Sequence, residues 1–311
     1  MKAVRIHAYG GREVLVVEEA PMPEVGERDV LVRIVASAIN PVDWKIRAGY
    51  LKDMLPYEFP LILGWDVSGV VEAVGSGVTK FKPGDAVYSR PNILRNGTYA
   101  EFIAIDENEI AFKPKTISHA CAASLPLAGI TAWDVLVKTA NIQAGQRVLI
   151  HAGSGGVGSL AIQLAKACGA HVVATTSCKN IPLVKSLGAD QLVDYRNQQF
   201  DHVVHEMDIV FDTIGGEVQD RSWASLKAGG ILVSIVSPPS EEVAAAHSAR
   251  AGFVFIQPDA EVLTRLAALV DTGKIRPIIA AEFALDDIVK AHALSESGRA
   301  DGKIVLHVGK P

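Results

Sequence analysis

The stretch HAGSGGVGSLAIQLAK, residues 151–166, decides the fold. Residues 147–152 leading into it are apolar and β-rich, and the composition turns helix-forming directly after the glycines. Strand, tight turn and helix in that order, with Gly153, Gly155 and Gly158 at GxGxxG spacing, form the pattern of a dinucleotide-binding site. The first glycine permits the sharp turn, the second lets backbone approach a pyrophosphate, and the third lets helix and strand pack closely. Ser154, Gly156 and Val157 complete the loop. The helix behind it offers N–H groups and a positive dipole end to the phosphates. A glycine-rich turn with no ligand is the alternative, and the flanking strand and helix weigh against it.

Downstream, strands are expected at 171–176, 191–194, 208–213, 231–236 and 253–256. Helices alternate with them at 156–168, 180–187, 217–227, 241–250 and 259–273. That alternation predicts an α/β doubly wound parallel sheet. Upstream, the chain reads as a turn-rich β region, with strands near 2–9, 15–19, 30–38, 66–74, 86–88 and 98–105. Several of these alternate in the manner of a partly open barrel. A helical pattern spans 120–139, and the last stretch holds a short helix near 285–296 and the β-rich run KIVLHV. The expected organisation is a substrate domain at 1–117, rejoined by 277–311, with a nucleotide-binding domain at 118–276 between its two parts.

At 311 residues the chain exceeds the usual size of one domain. A net charge of −5 gives no reason to expect nucleic acid. No apolar run reaches the roughly 18 residues of a spanning helix, so no membrane partner is expected. The N-terminus alternates like a strand instead of carrying a signal-peptide core. Cys121, Cys168 and Cys178 make neither a disulfide framework nor a CxxC pair. A cytoplasmic enzyme is the expectation.

The choice of cofactor rests on 171–180, HVVATTSCKN. An NAD-preferring fold carries an acid about 20 residues beyond the first glycine, where it takes the ribose hydroxyls. Here stand Thr175, Thr176, Ser177 and Lys179, with no carboxylate. Hydroxyls and an ammonium suit a 2′-phosphate, and Tyr195 at the end of the next strand can add a phenol. NADPH is therefore expected, against the alternative of Lys179 as a solvated lysine at a helix start. Asp190 and Asp194 lie near but out of position for the ribose.

These runs, taken together, resemble the medium-chain dehydrogenase/reductase superfamily. The similarity is strongest to its zinc-free quinone oxidoreductase (zeta-crystallin-like) branch and to the plant-type enone and alkenal oxidoreductases. The matching segments are NPVDWKIRAG at 40–49, GWDVSGVVEAVGSGV at 64–78, FKPGDAVY at 81–88, SLPLAGITAW at 124–133, KSLGAD at 185–190 and GKIVL at 302–306, besides the glycine loop. The resemblance implies a GroES-like domain beside a Rossmann domain. Zinc-dependent members place a cysteine where this chain has Asn40 and a His-Glu pair where it has Trp65-Asp66. Asp43 without a Cys or His partner is a poor zinc site, and 85–117 contains no cysteine, so no metal is expected.

Without a Lewis acid, alcohol oxidation is hard, whereas hydride addition to a quinone or an activated C=C needs alignment, hydrogen bonds to the carbonyl oxygen and a proton. By resemblance Asn40 faces the reacting carbonyl, Lys45 stabilises the enolate, and Tyr50 is a candidate proton donor. Thr131 is expected near the nicotinamide, with helix capping as its alternative. Trp44 and Trp65 are candidate pocket walls or core residues, and Asp43 a candidate helix cap. His7 and His151 show no ligand spacing, and His151 reads as a strand residue. The expected activity is NADPH-dependent reduction of quinones or α,β-unsaturated carbonyls. The alternatives are a zinc-free alcohol dehydrogenase and a non-enzymatic, crystallin-like NADPH-binding protein. A homodimer is implied by the resemblance, through the edge at 253–256.

Overall fold

The computed structural model describes residues 1–309. Its strands are β1 (Lys2–Ile6), β2 (Val16–Glu19), β3 (Asp29–Ile39), β4 (Leu61–Ile62), β5 (Val67–Val74), β6 (Ala86–Ser89), β7 (Phe102–Asp106), β8 (Ile110–Phe112), β9 (Arg147–Ile150), β10 (His171–Thr176), β11 (Gln191–Asp194), β12 (Met207–Asp212), β13 (Leu226–Ser234), β14 (Arg250–Phe253), β15 (Ile279–Ala284) and β16 (Lys303–His307). Its α-helices are α1 (Pro41–Arg47), α2 (His119–Ala123), α3 (Pro126–Trp133), α4 (Gly156–Ala167), α5 (Ile181–Ser186), α6 (Phe200–Val203), α7 (Glu217–Ser222), α8 (Glu241–Ala246), α9 (Ala260–Asp271) and α10 (Ile288–Glu296). The chain divides into two compact units. One comprises Met1–Leu127, Gln257–Gly273 and the chain from Pro277 onward; the other comprises Ala128–Ile256 and Lys274–Arg276.

The first unit is built on the sheet β15-β16-β3-β5-β6-β8, with β7 also paired to β3, and on a second sheet β2-β1-β4. Strand β3 is the spine. Its eleven residues are buried at every position but one, because it is paired on both edges and covered on both faces. One apolar core gathers Val30, Val32, Ile34, Val67, Val71 and Ile105, and a second gathers Ile6, Ile46, Leu63, Trp65, Tyr99 and Ile288. Helix α1 is held to α10 by the buried Arg47. Its Nη1 donates to His292 Nδ1 at 3.0 Å and its Nη2 pairs with Glu296 at 2.7 Å.

Two segments fall in a different unit from the one their sequence suggests. Helix α2, expected on the nucleotide side of residue 117, lays Ala123 against Ala36, Ala38 and Val305, and Ser68 Oγ meets His119 Nδ1 at 2.8 Å. Helix α9, expected within 118–276, belongs to the first unit. Tyr88 Oη donates to the Leu263 carbonyl, and the Asp271 carboxylate accepts from the backbone of Lys115 and Thr116 at 3.2 and 3.0 Å. The expected helix over 120–139 is interrupted at Ser124-Leu125 and ends in a π-helical stretch, Asp134–Thr139.

The second unit is a six-stranded sheet in the order β11-β10-β9-β12-β13-β14, with every pairing parallel. The order reverses between β9 and β12. In an open α/β sheet that is the switch point beside which ligands bind, outside the carboxyl ends of the strands. The core of this unit includes Leu149, Val173, Val210, Leu232 and Trp223, all buried. Among the described residues, no helix is long and apolar enough to cross a membrane.

Candidate active site

In the second unit the glycine loop joins β9 to α4, as its spacing predicts. Gly153 N–H donates to the Thr175 carbonyl at 2.9 Å and Gly155 N–H to the Ala152 carbonyl at 2.9 Å, which folds the loop back on itself. A Cβ on Gly158 would stand 2.2 Å from the Ala152 carbonyl oxygen, so only glycine lets α4 start so close to the turn. Gly155 is the N-cap of α4, and no side chain caps the helix. Its first N–H groups and dipole end are therefore left to an anion. Asn180 Nδ2 donates to Ser154 Oγ at 3.0 Å and ties the loop to the segment after β10.

That segment carries Ser177, Lys179 and, across the sheet, Tyr195. Thr176 at the end of β10 pairs in register with Asp194 at the end of β11. The Asp194 carboxylate is spent on its own turn, accepting from Arg196 N at 3.1 Å and Asn197 Nδ2 at 2.6 Å. Asp190 is held by Lys166 Nζ and Val172 N. Neither acid is placed for a ribose. The sequence reading missed Arg196, whose guanidinium lies 5.9 Å from the Tyr195 ring centroid. Its only signal was a cation next to Tyr195. The residues fit a phosphorylated dinucleotide: an uncapped helix end, then Ser177, Lys179 and Arg196, with the Asp194 carboxylate bonded within its own turn. His151 lies just past β9, buried, with Nε2 on Ser222 Oγ at 2.9 Å and Nδ1 on Thr175 Oγ1 at 3.2 Å. Burial lowers its pKa to about 4, so it is a neutral structural group.

In the first unit, the ends of adjacent strands bring a row of polar side chains to one rim. Lys303 opens β16, Asn40 follows β3, Asp66 precedes β5, Arg90 follows β6 and Glu109 precedes β8. Asn40 Nδ2 donates to Asp66 Oδ2 at 2.8 Å. Lys303 Nζ donates to the same oxygen at 2.8 Å and also to Asn40 Oδ1. Asp66 Oδ1 accepts from the Leu127 N–H at 2.6 Å, at the start of α3. All three side chains are buried: Lys303 is 5%, Asn40 3% and Asp66 0% exposed. Arg90 is buried beside them, and its Nε and Nη1 have no hydrogen-bond partner among the described residues. Burial holds its guanidinium pKa below the usual value, against the pull of Asp66 and Glu109.

Of the expected catalytic residues, only Asn40 joins this row. It is the N-cap of α1, and Asp43, the candidate cap, instead sits at the third helical position and reaches back to the Asn40 N–H at 2.8 Å. Asp43 also accepts from Tyr99 Oη at 2.6 Å, and its Oδ1 is buried without a partner among the described residues. Burial raises its pKa to about 7. Lys45 and Tyr50 form a separate cluster with Trp44. The ammonium lies 6.0 Å from the indole centroid, the two rings meet edge-on at 6.0 Å, and Tyr50 is 72% exposed. Trp65 is a core residue, fully buried and stacked on Tyr57 at 6.3 Å, and cannot wall a pocket. Thr131 lies buried within α3.

Residues 26–115 match the family described as "Alcohol dehydrogenase GroES-like domain", and 187–306 the one described as "Zinc-binding dehydrogenase". The chain is 39% identical to the 2-methylene-furan-3-one reductase of Solanum lycopersicum, over 99% of this chain and 79% of that protein. It is 38% identical, at the same coverage, to a chloroplastic NADPH-dependent alkenal/one oxidoreductase of Arabidopsis thaliana. The solved quinone oxidoreductase of Coxiella burnetii superposes with a TM-score of 0.92 at 36% identity, covering 99% of both chains. The chain belongs to the medium-chain dehydrogenases/reductases.

Its likeness runs to the quinone and enone oxidoreductases of that superfamily. The zinc in the second family description does not suit these residues. Among the described residues no three His, Cys, Asp or Glu side chains converge to hold a metal. At Asn40 and Asp66, an ammonium already fills the position a divalent cation would need.

Proposed function

We propose that this medium-chain reductase transfers hydride from NADPH to quinones or to the C=C bond of α,β-unsaturated carbonyls, without a metal. The observation that carries the coenzyme reading is the start of α4, which no side chain caps, followed beyond β10 by Ser177, Lys179 and Arg196, with Asp194 turned into its own loop. When bound, the nicotinamide supplies the hydride. Gly153, Ser154, Gly155, Gly156, Val157 and Gly158 cradle the pyrophosphate, while Ser177, Lys179, Tyr195 and Arg196 take the 2′-phosphate. Thr131 packs near the nicotinamide end. Asn40 donates a hydrogen bond to the substrate carbonyl, whose oxygen gains charge as hydride arrives at the electron-poor carbon. On the same reading Lys45, from the separate cluster with Trp44, stabilises that enolate and Tyr50 donates a proton to it. In this reading the unit of Ala128–Ile256 and Lys274–Arg276 serves the coenzyme, and the unit of Met1–Leu127, Gln257–Gly273 and the chain from Pro277 serves the substrate. The kinship to an alkenal/one oxidoreductase and to quinone oxidoreductases supports this substrate class.

Two finer points belong to the same reading. The protein is a homodimer joined along β14, the outermost strand of the parallel sheet, where Phe253, and Phe255 just beyond the strand, are 42% and 39% exposed. It works in the cytoplasm, a reducing compartment that suits three free cysteines.

Anaerobic NADPH oxidation against 2-alkenals, enones, quinones and saturated aldehydes tests the activity. Turnover of the first three classes is expected, and turnover confined to saturated aldehydes would overturn the reading.

A further inference from the structure

Asn40 serves the proposed reaction as a donor, which leaves Lys303 and Asp66 without a task. Their geometry gives them one. A carboxamide has two N–H donors and one acceptor oxygen, and its two ends are nearly the same size, so packing alone does not fix which end faces a ligand. Here chemistry fixes it. An ammonium can only donate, so Lys303 Nζ takes the oxygen end; a carboxylate can only accept, so Asp66 Oδ2 takes the nitrogen end. The two clamps are tied to each other at 2.8 Å, and the second Asp66 oxygen is anchored on the Leu127 N–H at 2.6 Å. One Asn40 N–H remains unspent.

We propose that Lys303, with Asp66, is a positioning residue for the reduction. It locks the Asn40 carboxamide with its second N–H toward the substrate carbonyl, and its charge on Oδ1 makes that N–H a stronger donor. Asn40 stands where zinc-dependent members place a cysteine, and Lys303, bonded to Asn40 and Asp66, acts through Asn40 rather than on the substrate. The inference rests on the proposed reading of Asn40 as the carbonyl's donor. A purely structural ion pair, holding β16 to β3, is the competing explanation.

Lys303→Met alone would strand a buried carboxylate and destabilise the fold strongly, so the informative variant also carries Asp66→Asn. In that double variant the new carboxamide oxygen at position 66 still accepts from Asn40 or Leu127, the two opposite charges leave together, and the buried Arg90 keeps the charge of Glu109 nearby. The full-length double variant is expected to bind NADPH as the wild type does, by fluorescence titration. Its kcat toward quinones should fall about tenfold or more, short of the roughly 10²–10³ lost when a whole oxyanion donor is removed. The loss should grow along a series of increasingly electron-rich quinones, because these depend most on help at the oxygen. A structural role predicts one uniform loss across the series. Lys303→Arg, which keeps a cationic donor, should recover part of the rate. The ¹⁵N-labelled protein gives a readout independent of turnover: the two Asn40 Nδ2 protons should resonate far apart in the wild type and close together in the double variant.

An unchanged kcat, a loss uniform across the series, or unchanged Asn40 resonances would each overturn the inference. A wild type that reduces none of the quinones or enones would instead overturn the activity, and the resonances would still decide the clamp.

Discussion

Lys179 shows what one side chain is expected to do. An ammonium close to a 2′-phosphate makes a charge-assisted hydrogen bond that NADH has no group to receive. Lys179→Ala should therefore raise the Kd for NADPH about tenfold or more, equivalent to about 1.4 kcal/mol, and leave NADH binding within about twofold. Equal losses for both coenzymes would remove the phosphate assignment. Arg196 should behave in the same way, although only the folded chain reveals it: the sequence offers a cation beside Tyr195, and the ring contact at 5.9 Å depends on how β11 ends. Trp65 is the opposite case. Its neighbour Asp66 reaches the polar row, but successive side chains of an extended backbone point to opposite faces, and the indole goes into the core.

At the level of elements, periodicity found most strands and helices of the parallel sheet, set the outermost strand at 253–256 where β14 runs Arg250–Phe253, and missed what is short or broken. Strand β4 has two residues, too few to show any alternation. Strand β15 alternates between half-buried and exposed positions, but its apolar residues include several alanines that carry little hydrophobic contrast. The helix break at Ser124-Leu125 has no glycine to announce it; only Pro126 marks it, as the first residue of α3. The rim residues were legible singly and not as a row, since Asn40 and Lys303 lie 263 positions apart and meet only because β16 pairs with β3. The outermost strand carries a prediction of its own. Phe253→Lys with Phe255→Lys should convert the proposed dimer to monomers in light scattering while NADPH binding persists. A dimer that survives both charges does not use this edge.

For the whole molecule, buried titratable groups set the response to acid. His151 and His292 are neutral when folded, with pKa values lowered by burial to about 4 and about 3, whereas they take up protons near 6.5 when unfolded. Between those limits the unfolded chain holds more protons, so stability is full above pH 6.5 and falls as pH drops toward 4. Asp43 opposes this. Its folded pKa of about 7 lies above the unfolded value of 3.8, so the folded state gains a proton first and is favoured below pH 7. Each net proton changes stability by roughly 1.4 kcal/mol per pH unit. Asp43→Asn keeps an acceptor for Asn40 N–H and Tyr99 but removes the opposing proton, so its stability should fall more steeply than wild type between about pH 6.5 and 4.5 in urea denaturation. Parallel curves would show that Asp43 is ionised in the folded protein throughout.

The placement of β16 between β15 and β3 has a consequence for biosynthesis. A ribosome makes Asn40 263 positions before Lys303. All six strands of the parallel sheet precede Lys303, so a growing polypeptide can complete that sheet while the Asn40 carboxamide is still unclamped and free to flip. On the proposed reading, competence for reduction arrives only when β16 slides into its gap between β15 and β3.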